Sequence, residues 1–184
     1  MEVKTMHLNE KTLSSETVYH GKIFDITHNT VELENGETAV RDVLVHHGGV
    51  CVIPVTENND IYMVKQFRYP FGEVTLEIPA GKLEKGEDHR ECGLRELREE
   101  TGFTCSEYTY IGKIYPVPAY DTEIIHVYMA RGLRRQGEQS LDEDEFLDVV
   151  KIPLSEAVEM IMGGKLHDSK TQIAVLKVAR ILGI

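Results

Sequence analysis

The segment from Glu87 to Thr101 is a helical stretch set between runs that read as strands, and this most limits what the chain can become. It opens on two acids, Glu87 and Asp88, which suit a helix N-terminus, and stops at Gly102, a natural C-terminal glycine. Upstream, residues 15 to 46 are rich in Thr, Val, Ile and aromatics, with an Asn-Gly hairpin signal in ENGE, Glu34 to Glu37. GGVCVIPVT, IYMVKQFRY and VTLEIPA follow as further strands. Downstream, FTCSEYTYIGKIYPV (with a break near Ser106), TEIIHVYMARGL and FLDVVKIPL read as strands. SEAVEMIMGG, capped by its Ser-Glu start, and SKTQIAVLKVARILGI read as two closing helices. A sheet with helices before and after its last strands makes an α/β chain.

Three carboxylates share one side of the central helix. At about 100° per residue, Glu100 lies about 40° from Glu96 and Glu99 about 60° to the other side. Cys92 falls within the same stripe, while Gly93, Leu94 and Leu97 occupy another side and are expected to face the core. A solvated acidic face is the plain reading of such a stripe. Like charges at i and i+4 nevertheless cost a helix a few tenths of a kcal/mol, and a hard divalent cation turns that cost into a ligand set. Glu87, at the helix start, is placed to hold Arg95.

Charge sharpens the question. The chain of 184 residues carries a formal net charge of −11, so a general basic surface for nucleic acid is excluded. A phosphate compound could approach only if cations bridged the two anions. The three cysteines, Cys51, Cys92 and Cys105, form no C-x-x-C, which argues against a disulfide framework or a zinc site. Cys51 and Cys105 are expected to be core thiols. No apolar h-region opens the chain and no apolar run reaches membrane-spanning length, so no membrane partner and a cytoplasmic location are expected.

Gly81 to Phe103 reads GKLEKGEDHRECGLRELREETGF. It resembles the Nudix box, G-x5-E-x7-R-E-U-x-E-E-x-G-U with U a bulky apolar residue, at every specified position: Gly81, Glu87, Arg95, Glu96, Leu97, Glu99, Glu100, Gly102 and Phe103. The resemblance implies a Nudix α/β/α sandwich around a mixed β-sheet, preceded by a small N-terminal antiparallel β-sheet. The domains would be residues 1–46, a dimer-forming β segment, and 47–184, the hydrolase domain. It further implies that Glu96, Glu99 and Glu100, with the Ala80 carbonyl, bind one to three Mg²⁺ or Mn²⁺ ions. Gly81 would permit a tight turn, and Glu87 and Arg95 would be structural.

Residues outside the box resemble the ADP-ribose pyrophosphatases of that family. Pro118 lies fifteen residues after Phe103, where those enzymes carry a proline, although Ala119 stands where they have glycine. QFRYP and LEIPAGKLEKGE are also similar. In such enzymes the N-terminal sheet swaps onto a partner chain. The resemblance thus implies a homodimer in which Phe24 and Arg41 reach the partner's nucleotide, while Arg68 contacts the nucleotide of its own chain. The plain alternatives are ordinary core for Phe24 and surface charge for Arg41 and Arg68. A general base must reach the attacking water. The resemblance places it in the acidic loop SLDEDEF, with Glu143 as base and Glu145 as an extra metal ligand. Glu99 and Glu123 complete the catalytic set, Glu123 at a metal-bound water or the terminal ribose. The implied reaction is hydrolysis of ADP-ribose to AMP and ribose 5-phosphate. Another nucleoside diphosphate sugar or dinucleotide, or a non-catalytic sensor of ADP-ribose, are the alternatives.

Overall fold

The computed structural model describes residues 8–141 and 145–184. They form two compact units, Met1–His47 with Val117–Glu123, and Gly48–Pro116 with Ile124–Ile184. Among the described residues no helix is long and apolar enough to cross a membrane.

The first unit is an antiparallel sheet of β1 (Lys11–His20), β2 (Phe24–Glu32) and β3 (Thr38–His46), in that order. Strand β1 begins before the expected residue 15 and is exposed throughout. The Asn-Gly signal is realised: Gly36 takes φ +80°, and Leu33 and Glu37 close the hairpin with a 2.8 Å backbone bond. The segment Val117–Glu123 belongs to this unit rather than to the second. The Leu44 amide donates to the Tyr120 carbonyl at 2.7 Å, and the Thr122 amide to the Leu44 carbonyl at 3.0 Å.

The second unit contains β4 (Gly49–Pro54), β5 (Asp60–Arg68), β6 (Glu73–Glu77), β7 (Ala80–Lys82), α1 (His89–Thr101), β8 (Phe103–Thr104) and β9 (Glu107–Ile114). β10 (Ile125–Arg131), β11 (Arg134–Arg135), β12 (Leu147–Pro153), α2 (Leu154–Met162) and α3 (Ser169–Leu182) complete it. One sheet runs β7-β4-β10-β9 and is mixed, with β4 and β10 parallel; a second runs β12-β5-β6 and is antiparallel; β11 and β8 form a short ribbon.

The mixed sheet is covered on both faces, and strict alternation along its strands decides which residue goes where. Val50 and Val52 of β4 and Tyr128 and Ala130 of β10 pack with Cys92 and Leu97 of α1. Cys51 and Ile53, with Val127 and Met129, pack instead with Leu154 and Ala157 of α2 and Ala174, Val175 and Val178 of α3. Burial on both faces explains why GVCVIP is apolar without interruption. Leu97 is fully buried, and its truncation to Ala should cost about 2–5 kcal/mol. This is the expected α/β/α sandwich around a mixed sheet, with the separate N-terminal antiparallel sheet.

Local capping corrects two sequence expectations. Helix α1 starts at His89, two residues late, because the Asp88 carboxylate accepts from the amides of Arg90 and Glu91. It ends as expected at Gly102, which is left-handed at φ 72°. Helix α2 starts at Leu154 after Pro153, with no side-chain cap, so Ser155 lies inside it. Helix α3 is capped by Asp168, which accepts from the Thr171 amide.

Candidate functional site

Helix α1 lies with part of its acidic stripe against the protein rather than in solvent. Glu96 is 9 % and Glu100 1 % exposed, and Cys92, in the same stripe, is fully buried. Leu94, expected to face the core, is only half-buried. The close approach of β7 explains this. A Cβ built on Gly81 would sit 1.8 Å from Glu96 Oε1, so no residue larger than glycine leaves Glu96 its place. Gly81 is thus required for space. It lies within β7 and has no positive φ, so it serves close approach rather than the turn expected for it.

The carboxylates of this stripe have few compensating charges. The Ala80 amide donates to Glu100 Oε2 at 3.2 Å. Burial, then the charges of Glu96 and Glu145, hold the Glu100 carboxyl well above the usual carboxylate range, against the Ala80 amide and the Lys170 charge. Burial also raises Glu96; Arg95 opposes this, and Glu99 and Glu145 add to it. Glu145 accepts a 3.3 Å bond from Gln66 Nε2.

Arg95 is the cation of the stripe. Its Nε and Nη2 donate to Glu87 Oε1 and Oε2 at 3.1 and 3.2 Å, the pairing expected from sequence. Its Nη1 donates to Glu96 Oε1 at 2.7 Å and to Glu99 Oε2 at 3.0 Å. Glu87 is thereby held below its ordinary pKa, chiefly by Arg95. The Cys92 thiol, 3.3 Å from Arg95 Nη2 and 3.5 Å from the Lys82 carbonyl oxygen, is pushed up to about 12 by burial, which leaves it unreactive. Burial does the same to Cys51, pushed up to about 12, while Cys105 is only half-buried.

The donor set of the stripe fits a hard divalent cation. It offers carboxylate oxygens that are partly or wholly withdrawn from water, mutually repelling, and short of positive charge. In the arrangement seen, Glu96 and Glu99 turn to Arg95 and Glu100 to the Ala80 amide; among the described residues no three His, Cys, Asp or Glu groups converge on one point. Ion binding therefore calls for carboxylate rotation toward a shared centre.

A second cluster lies in the same unit. Glu77, at the end of β6, is 2 % exposed. Its carboxylate accepts from Arg68 Nε at 2.7 Å and Nη2 at 2.6 Å, from Thr75 Oγ1 at 2.6 Å, and from Lys170 Nζ. Lys170 also donates to Asp168 Oδ1 at 3.0 Å. Burial pushes the Glu77 carboxyl up, but Arg68, Lys170 and Thr75 outweigh it and hold it at about 2. Sequence reading singled out Arg68 but missed Glu77 and Lys170. The available signal was a charged residue inside the apolar run LEIPA, since a buried charge must be paired.

Four further candidates lie in the first unit. Phe24 opens β2, half-buried, with its ring centroid 6.2 Å from that of Tyr19. Arg41 Nε and Nη2 donate to the Glu10 carboxylate at 3.0 and 2.6 Å. Pro118 is exposed, in the turn where the Tyr120 and Asp121 amides donate to the Val117 carbonyl. Glu123 lies 3.6 Å from His46 Nδ1. Glu143 lies outside the described residues.

Residues 45–171 match the family described as NUDIX domain. The chain belongs to the Nudix family. Residues 10–44 match the nucleoside diphosphate sugar hydrolase N-terminal domain. Among curated relatives, the chain is 44 % identical to a methanol dehydrogenase activator of Bacillus methanolicus, over 90 % of each chain. It is 42 % identical to an ADP-ribose pyrophosphatase of Bacillus subtilis (strain 168), over 91 % of each. A crystal structure of an ADP compounds hydrolase shares the fold, with TM-score 0.82 and 22 % identity over 95 % of this chain and 94 % of that one. Nudix hydrolases generally work with divalent metal ions, in keeping with the chemistry of the α1 stripe.

Proposed function

We propose that this chain hydrolyses the pyrophosphate bond of ADP-ribose, giving AMP and ribose 5-phosphate. The observation that carries the reading is the complete Nudix box around α1, with Glu96 buried against Gly81, Glu100 buried at the Ala80 amide, and Arg95 the one cation bonded within the stripe. The substrate is supported by the relative named ADP-ribose pyrophosphatase, 42 % identical over 91 % of each chain.

Glu96, Glu99 and Glu100, with the Ala80 carbonyl and Glu145, hold one to three Mg²⁺ or Mn²⁺ ions. Bound there, such ions offset the charge of the diphosphate and make a water more acidic. Glu87 fixes Arg95, so that the stripe keeps its shape when Glu96 and Glu99 leave the guanidinium. Glu143 takes the proton of the attacking water. One P–O bond forms from that water while the bond from the attacked phosphorus to the bridging oxygen breaks. Arg68 contacts the nucleotide of its own chain. In a homodimer, Phe24 and Arg41 serve the partner's nucleotide; Pro118 contacts the substrate, and Glu123 holds a metal-bound water or the terminal ribose. The N-terminal β segment of residues 1–46 is the dimer-forming part, residues 47–184 the catalytic domain, and the enzyme works in the cytoplasm without nucleic acid or membrane.

Phosphatase-coupled phosphate release tests this, on a panel of ADP-ribose, ADP-glucose, GDP-mannose, NADH, FAD and diadenosine polyphosphates, with Mg²⁺ and with chelator. Metal-dependent cleavage led by ADP-ribose is expected. If another compound leads, the substrate assignment is wrong and the family chemistry stands. A second reading rests on the relative named methanol dehydrogenase activator, 44 % identical. It predicts that the chain raises the rate of a methanol dehydrogenase added to the assay, and no change in that rate sinks it.

A further inference from the structure

Arg68 stands at the end of β5, beside the turn into β6, where a long side chain has many rotamers to choose from. It uses few of them. The edge of the guanidinium that carries Nε and Nη2 lies on both oxygens of Glu77, at 2.7 and 2.6 Å. Such a two-bond fork fixes the plane of the group as well as its position. The Arg68 side chain keeps 37 % exposure, while that of Glu77 keeps 3 %. One edge is therefore committed inward, and the opposite edge, with Nη1, remains for an anion.

Glu77 is itself fixed from three directions. Thr75 Oγ1 donates to Oε1 at 2.6 Å, Lys170 Nζ donates to Oε2, and burial prevents water from taking their place. Lys170 is held by Asp168, the residue that caps α3. Thr171, which donates its hydroxyl to Asp168 at 2.5 Å, accepts from the Ile78 amide at 2.9 Å, so the start of α3 is tied to the backbone beside Glu77. A continuous set of bonds thus runs from the α3 N-terminus through Lys170 and Glu77 to Arg68.

We infer that Glu77 and Lys170 are positioning residues that present the outer edge of Arg68 to the phosphate groups of a nucleotide. This rests on the reading that Arg68 contacts the nucleotide. A core ion cluster with no such purpose would need no cation left partly exposed at its end. The arrangement acts on substrate capture rather than on the chemical step, because neither Glu77 nor Lys170 is among the residues expected to hold metal or accept the proton.

The test is a double-mutant cycle on the full chain with ADP-ribose, reading KM and kcat separately. Arg68→Met and Glu77→Gln should each raise KM about tenfold with kcat changed less than about threefold. Glu77→Asp, too short to take both Arg68 donors with its present backbone, should fall between. In the Arg68→Met background, Glu77→Gln should add nothing further to KM, which a merely structural role would not produce. If Glu77→Gln fails to fold, Lys170→Met serves in its place, with a smaller rise that also vanishes in the Arg68→Met background. Full additivity of the two KM effects overturns the inference, as does a fall in kcat at unchanged KM. A wild-type chain that leaves ADP-ribose intact overturns the functional reading instead. The cycle is then run on whichever compound leads the panel.

Discussion

Two clusters of buried glutamate in the same unit have opposite electrostatics. Glu77 and Glu100 are almost equally withdrawn from water, at 2 % and 1 % exposure. Glu77 meets two cations and a hydroxyl, and its carboxyl falls to about 2. Glu100 meets the charges of Glu96 and Glu145, opposed only by one amide and a weaker effect of the Lys170 charge, and its carboxyl is raised well above its ordinary range. Burial is common to both, so what differs is the supply of positive charge. The first cluster is complete within the chain. The second is short of a cation, which a metal-dependent hydrolase takes from solution.

The largest expected effect comes from the incomplete cluster. Glu100→Gln should lower kcat roughly a hundredfold or more, about 3 kcal/mol of barrier. Its stability in chelator should equal or exceed that of wild type, because a buried repulsion is removed. A clear loss of stability in chelator would show that the Glu100 carboxylate has a stabilising partner beyond the Ala80 amide and Lys170. Glu77→Gln should act in the opposite sense. It leaves Arg68 and Lys170 without their shared anion and should cost about 3 kcal/mol in urea denaturation. A stability within error of wild type would break the contrast between the clusters.

Smaller effects sharpen it. Gly81→Ala forces Glu96 from its place, and should weaken Mg²⁺ binding about tenfold, close to 1.4 kcal/mol, with binding calorimetry as the readout. The last prediction concerns pH. The folded carboxyl of Glu77 lies below its ordinary value of 4.5, at about 2. The unfolded chain therefore takes up the proton first, and the stabilisation present above 4.5 is lost as pH falls toward 2. Between pH 4.5 and 3.5 the loss from this group is about 1 kcal/mol. Glu77→Gln should lack that component of the acid limb; an unchanged limb would assign it to other carboxylates.

Much of this was legible in the sequence, for reasons that differ by element. The unbroken apolar run GVCVIP marks a buried strand and period 3.6 along α1 sets out the acidic stripe, both local patterns, whereas the sandwich was legible only through the likeness of Gly81 to Phe103 to the Nudix box. The Glu87–Arg95 pair was legible because eight residues of cap and helix set its distance. What failed depended on packing. The burial of Cys92, Glu96 and Glu100 follows from how closely β7 approaches at Gly81, and no helical wheel contains β7. Lys170 reaches Glu77 across 93 positions, so no spacing rule connects them. The starts of α1 and α2 were misjudged because Asp88 and Pro153, not the neighbouring acid or serine, set the first turn.

Titration of Mg²⁺ and Mn²⁺ into the wild-type chain and into Glu96→Gln, Glu100→Gln and Glu77→Gln, followed by calorimetry and by the rise in Tm, addresses the central contrast most directly. Binding and a Tm rise are expected in wild type and in Glu77→Gln, with both lost or greatly weakened in Glu96→Gln and Glu100→Gln. Unchanged metal binding in Glu100→Gln would contradict that contrast.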